Sequence, residues 1–314
     1  MRALGGWRSK AKYLPLAVPL LGLAELGAHF YFSRRPPAEK DWEEVRPLVA
    51  SWYKPGEVVV VAPYWAEPMA RWKFGDALMP PRDVARPDAT RYASAIEVSA
   101  LGARSPELTA WKVTREEKHG RFTVRALANP SPPTITYDFG DHVAPDALEV
   151  RTQKGGAPTA CPYTTTAAIE GGGLGGPPIY PATRFACPGE PSNVFVGTTF
   201  IEDQENRPRR CIWARPPAGA SEIVARFRNV PLGNVIHCHA GMGWIPERDL
   251  AVPPFTVRVV VGTIEIGTFV HHPGDFWKAF DLPLGSASNG AADVEFYVSA
   301  PPSGADVCFE ADSR

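Results

Sequence analysis

The densest run of side chains able to do acid–base or metal chemistry is His237-Cys238-His239, followed later by His271-His272. On a strand alternate residues share a face, so His237 and His239 would point one way and Cys238 the other. A metal would then need a third ligand, such as His271 or His272, from a neighbouring strand. The spacing is not that of a metal site. The run reads as polar strand positions flanking a core cysteine, and no metal is expected. All five cysteines (Cys161, Cys187, Cys211, Cys238 and Cys308) lie in the second half, with no C-x-x-C among them. In an oxidising compartment the expected pairs are Cys161 with Cys187 and Cys211 with Cys308, leaving Cys238 as the odd thiol. The alternative is five buried free cysteines packed as small apolar residues.

Aromatic residues at loop edges suggest a different chemistry. Trp213, Trp244 and Trp277 fall near the ends of candidate strands, with Arg215, Arg248, Asp249, His271 and His272 close in sequence. A sugar ring lays its apolar face on an indole while charged and polar groups take its hydroxyls, so these mixed edges are candidate glycan contacts. Tyr64, Trp65 and Glu67 follow a Val-rich strand, the place where open α/β sheets bind ligands. The structural alternative is that the tryptophans are core and the Tyr64 group caps a sheet.

Signatures of catalysis are missing. The chain has no H-E-x-x-H, no G-x-S-x-G, no P-loop and no G-x-G-x-x-G after a strand, so no catalytic residue is assigned and no cofactor is expected. The loop from Gly171 to Gly176 runs into Pro177-Pro178 without a following Lys-Ser or Lys-Thr, which excludes a phosphate cradle at a helix start. A net charge of -1, with both signs interspersed, argues against nucleic acid.

Positioning these residues requires at least two folded units. Trp42, Val45, Leu48, Val49 and Trp52 recur at helical spacing behind an Asp41-x-x-Glu44 capping signal, with Pro47 expected to bend or end the helix. Val58 to Ala62, Ala95 to Leu101 and Phe122 to Leu127 read as strands, interleaved with short helices from Pro68 and from Ser105 to Trp111. That alternation predicts a small α/β domain over 41–130 with a mostly parallel sheet. Residues 131–190 read as a Gly/Pro-rich connection with little regular structure. Over 191–314, nine short apolar runs separated by Gly, Pro, Asn and Asp clusters predict a jelly-roll-like β-sandwich, giving an α+β chain overall. Its clearest hairpin is Phe255 to Val270, turned by Gly262-Thr263, with Phe255, Val257, Val259 and Val261 on one face.

The amino terminus adds a topology. Arg2, Arg8, Lys10 and Lys12 precede a mostly apolar stretch from Tyr13 to Phe32, and Ser33-Arg34-Arg35-Pro36-Pro37 closes it before a linker over 33–40. Its twenty residues make about 30 Å of helix, enough to span a bilayer. The stretch therefore reads as a transmembrane signal anchor over 13–32 with a cytoplasmic segment over 1–12 and everything beyond it extracytoplasmic, periplasmic or at the cell surface. A cleaved signal is the alternative, although Leu26 is bulky for the third-last position before a cut after Ala28. Glu25 inside the span would pair with His29 one turn on, or contact a membrane-protein partner.

Tyr53-Lys54-Pro55-Gly56-Glu57 running into Val58-Val59-Val60-Val61-Ala62-Pro63, after a Trp-containing helix, resembles the soluble extracytoplasmic region of protein-mannosyltransferase-type membrane glycosyltransferases. The likeness covers residues 41–128, has Glu57 where that family has Asp, and lacks the family's multi-span region and catalytic acidic loop. It implies an anchored relative or accessory of that soluble domain without transferase activity of its own. Residues 190–314, with Phe255 to Gly267, Trp277 and Phe280, resemble a galactose-binding-like jelly roll, which implies carbohydrate binding. The leading expectation is a membrane-anchored, non-catalytic accessory or binding protein of the cell envelope. An extracytoplasmic carbohydrate-active enzyme and a purely structural scaffold are the alternatives.

Overall fold

A computed structural model describes residues 14–33, 36–155, 157–165, 180–191, 193–205, 207–219, 221–287, 290–301 and 305–314. The Gly171 to Gly176 loop and the basic residues before Tyr13 lie outside these. The chain divides into two compact units, 1–80 with 94–130, and 81–93 with 131–314.

In the first unit, α1 (Leu14–Ser33) is helical, with Pro19 inside it and Glu25 and His29 along it. Among the described residues no helix is long and apolar enough to cross a membrane. This overturns the signal anchor and the single-pass membrane location. The proline, the carboxylate and the imidazole all lower the apolar content that a span needs. The expectation of a partner span meeting Glu25 loses its basis with it.

The helix α2 (Glu39–Trp52) starts two residues before Asp41. Asp41 is therefore not the N-cap. It sits at the third helical position and accepts from the Ala38 backbone N–H at 2.7 Å. Pro47 does not end the helix, because it lies on the exposed side, where the carbonyl it leaves unbonded can be solvated. Trp42, Val45, Val49 and Trp52 form the buried stripe, and Trp42 packs on Phe74 and Phe122. The strand β1 (Val58–Ala62) and the helix α3 (Glu67–Phe74) follow, and Gly75 ends α3 at φ 73°, a left-handed value suited to glycine.

β2 (Ser94–Ala100), β3 (Lys112–His119) and β4 (Phe122–Ala128) complete a sheet in the order β1-β2-β4-β3. Only β1–β2 is parallel, and the other two pairings are antiparallel. The expected mostly parallel sheet is thus corrected. The cause is β3, whose sequence Lys-Val-Thr-Arg-Glu-Glu-Lys-His is almost wholly exposed and has no apolar alternation to announce it. As an edge strand it needs no buried face, and its charges discourage pairing with another chain.

The second unit is a β-sandwich, and the chain as a whole is mostly β rather than α+β. The short helix α4 (Pro81–Val84) lies in 81–93, which clusters with this unit although flanked in sequence by the first. The expected irregular connection carries β5 (Tyr137–Asp138), β6 (Leu148–Lys154), β7 (Ala157–Ala160), β8 (Tyr163–Thr165) and β9 (Thr183–Ala186). Then come β10 (Phe195–Glu202), β11 (Pro208–Arg215), β12 (Glu222–Pro231), β13 (Val235–Gly241) and the short helix α5 (Trp244–Arg248). The chain ends with β14 (Phe255–Val261), β15 (Ile264–His271), β16 (Lys278–Pro283), β17 (Ala291–Ser299) and β18 (Val307–Ser313).

One sheet runs β16-β13-β18-β11-β10-β9-β8, with β5 also on β18, and the other runs β15-β14-β17-β12-β6-β7. Their inner faces meet in one core that includes Phe139, Val150, Ile212, Phe227, Cys238, Val257, Phe296 and Phe309. Period-two alternation explains it. Along β14 the odd-numbered residues are all buried, and Gly262 at φ 61° turns the chain into β15. Cys161–Cys187 and Cys211–Cys308 are disulfides and Cys238 is a buried free cysteine.

Candidate functional site

The part of the β16–β8 sheet around β10 and β11 carries the chemistry. Along β11, Ile212 and Ala214 enter the core, which sends Cys211, Trp213 and Arg215 outward. Phe195 joins them from β10, and Phe195, Cys211, Trp213 and Cys308 form a second apolar cluster beneath Tyr180 and Trp277. Tyr180, Phe195 and Trp213 contact one another edge-on or tilted at 5.1–5.7 Å between centroids. The Trp213 N–H donates to Asp306, which also pairs with Arg215. Burial pushes the Asp306 carboxyl up, with Arg215 opposing.

Beside this cluster opens a cavity of about 230 Å³ lined by Tyr180, Pro181, Thr198, Thr199, Phe200 and Arg210. It exists because β10 outruns its neighbour: β9 pairs with it only at Phe195 and Val196. Beyond that point Thr198 and Phe200, on the face that buries Val196, emerge into solvent, and Phe200 is 53% exposed. Gly197 lets the other wall approach, since a Cβ there would lie 2.8 Å from the Pro181 ring. Arg210 is held by the Gly140 carbonyl at 2.8 Å and by Asp141 at 2.7 Å. Aromatic residues, a guanidinium and the two threonines, which point to opposite faces of β10, thus line one small volume.

The sequence-predicted residues separate. Trp213 is 5% exposed and Trp277 is partly buried against the same cluster, so both support the cavity region rather than form a surface platform. Trp244, 37% exposed, stands elsewhere on α5 with the Arg248 guanidinium 5.1 Å above its ring, and Asp249 accepts from the Ala251 N–H as a turn residue. Buried Glu247 accepts from His271 at 3.0 Å and from the Phe276 N–H at 2.8 Å, tying α5 to the loop after β15. In the first unit, Tyr64 and Trp65 are exposed, and Glu67 is raised by burial, which outweighs Arg71.

His237 and His239 do share a face of β13, 4.9 Å apart. His271, however, is buried on Glu247 and His272 pairs with Asp275, so the four imidazoles do not converge. Among the described residues no group of side chains could hold a metal. His237 bonds Asp281 at 2.5 Å, and burial followed by the neighbouring His237 lowers His239 to about 4.

Two acidic residues come together without a cleft. Asp138 and Glu310 both accept from Arg86 Nη1, at 2.7 and 2.6 Å, and both are buried. Burial pushes Glu310 up to about 7 against Arg86, with Asp138 adding to the rise. Burial acts on Asp138 too, but Arg86 and Arg91 outweigh it and hold that carboxyl low.

Tyr180, Phe200 and Arg210 were not singled out from sequence. The available signal lay along β10, where Thr198 and Glu202 interrupt the face that Val196 begins, marking where the strand leaves the core.

No family model and no curated protein matches this chain. Two solved structures from Clostridium perfringens ZmpB are similar in part, one of CBM51-2 in complex with GlcNAc and INT domains, the other of CBM51-2 and INT domains. The identities are 12% and 11%, each match covers 37% of this chain, and the TM-score is 0.27 for both. The matched part is only 25% and 26% of those chains. No match supports the expected likeness to mannosyltransferases.

Proposed function

We propose that this chain is a non-catalytic glycan-binding protein of an oxidising compartment, with its ligand in the cavity beside β10. The observation that carries this reading is the wall itself: exposed Phe200 with Tyr180 for a ring face, a threonine of β10 for a hydroxyl, and Arg210 as a fixed donor. The volume suits a single sugar ring better than a large cofactor. Two disulfides support an extracellular or otherwise oxidising setting.

Binding is favoured over glycoside hydrolysis by the placement of Asp138 and Glu310. A hydrolase sets its two carboxyls on either side of an open cleft, whereas Asp138 and Glu310 lie buried on a common guanidinium. Trp244 with Arg248 is a proposed second contact for a longer glycan. A glycan array on the purified protein, followed by calorimetry, tests the reading. Phe200→Ala should weaken the best ligand by about tenfold or more. A blank array, or hits indifferent to Phe200→Ala, would sink it.

A further inference from the structure

One of the arginines around the cavity has no counter-charge among the described residues. Arg184 is 6% exposed, and its Nη1 donates to the Pro181 carbonyl at 2.7 Å, directly behind the cavity wall. Among the described residues it meets no carboxylate, and its Nε has no hydrogen-bond partner. Its guanidinium lies 5.6 Å from the Phe195 ring and 6.0 Å from the Tyr180 ring, while Arg215 approaches Tyr180 at 5.2 Å. On the opposite wall Arg210 uses Nη2 for both of its bonds, and its Nη1 is left without a partner. Asp141, the carboxylate on Arg210, is also claimed by Arg82 and, at 3.7 Å, by Arg86. Asp306, the carboxylate on Arg215, is raised by burial.

Three guanidiniums thus lie in or near the cavity wall: Arg210 shares Asp141 with two other arginines, Arg215 is paired with Asp306, and Arg184 meets no carboxylate among the described residues. A buried cation without a counter-charge is costly, and the cost falls when an anion enters the adjoining space. Aromatic faces beside the charge would hold the ring that carries the anion.

We infer that the cavity beside β10 selects an acidic sugar, a pyranose bearing a carboxylate or sulfate, with Arg210 facing the anion and Arg184 and Arg215 supplying the field. This rests on the glycan reading and names its ligand class. The favoured anion is part of a sugar, and free inorganic sulfate is the weaker source of the same charge.

The test uses the full chain and four probes: a neutral oligosaccharide, its uronic-acid counterpart, its sulfated counterpart and sodium sulfate. Either acidic oligosaccharide should bind at least about tenfold more tightly than the neutral one, and the difference should shrink as salt is added. Arg184→Met should abolish the preference while leaving the unliganded protein as stable as before or more so, because it removes an uncompensated buried charge. Equal binding of neutral and acidic sugars would overturn the charge selection and leave the glycan reading standing. Binding of sulfate with no binding of any sugar would do the reverse. Loss of unliganded stability in Arg184→Met with the acidic preference intact would also overturn it.

Discussion

Gly197→Ala is the sharpest probe of how the cavity is built. Its methyl group would lie 2.8 Å from the Pro181 ring, 3.3 Å from the Arg184 Cβ and 3.5 Å from the Thr183 carbonyl. Non-bonded carbons are comfortable near about 3.5–4.0 Å, so Pro181 must retreat by roughly 0.7 Å or more. A proline ring cannot swing aside by changing rotamer, and its movement carries Tyr180 and the chain entering β9. Overpacking of this kind costs about 1–3 kcal/mol. Urea unfolding should show a lower midpoint with an unchanged slope, and glycan affinity should fall together with stability because the displaced residues form one cavity wall. Gly243→Ala is the control, since it has ordinary backbone at φ -64° and nothing within 4 Å of a new Cβ. If Gly197→Ala stayed within about 0.5 kcal/mol of wild type with full affinity, the close approach of Pro181 would not shape the site.

The two disulfides close loops of different length, with sequence separations of 97 and 26 residues. On chain entropy alone, replacing Cys211 and Cys308 by alanine should cost about 4.7 kcal/mol and replacing Cys161 and Cys187 about 3.5 kcal/mol. Denaturant titrations showing the reverse order would mean that loop closure does not decide. The pH dependence contains two opposing contributions. Glu310 holds its proton in the folded state between its ordinary 4.5 and about 7, so it makes stability fall as pH rises through that window. His239 stays neutral in the folded state between about 4 and its ordinary 6.5, so it makes stability rise with pH there. Glu310→Gln should therefore unmask a rising slope, and His239→Gln a falling one, in unfolding free energy measured from pH 4.5 to 6.5. Parallel curves for wild type and both variants would exclude both assignments.

Where hydrophobic period and burial agreed, local sequence was enough to read the fold. The β14–β15 hairpin is the clearest case, because its inward valines and the glycine at its turn are each dictated by backbone geometry. Strand β3 shows the opposite. An edge strand can be made wholly of charged residues, so its existence depends on Phe122–Ala128 offering a free edge, and its omission turned an antiparallel sheet into an expected parallel one. The apolar stretch at α1 is legible as a helix but not as a span, because Pro19, Glu25 and His29 dilute the apolar length that a crossing needs. Among the site residues, tryptophan type suggested surface platforms, yet Trp213 is core, since strand pairing sets it beneath Tyr180 and Trp277.

By itself, then, the sequence determined the strand-rich second half, the cysteines able to pair, and the absence of familiar catalytic motifs, all of which follow from residue type and spacing. The tertiary structure alone decided the site. Tyr180, Thr198, Phe200 and Arg210 meet only because β10 continues past the end of β9, and Arg184 lacks a counter-charge only because the fold brings it none. Neither a pairing length nor a missing neighbour is written in any one segment of the chain. Both arise from what the rest of the molecule places alongside it.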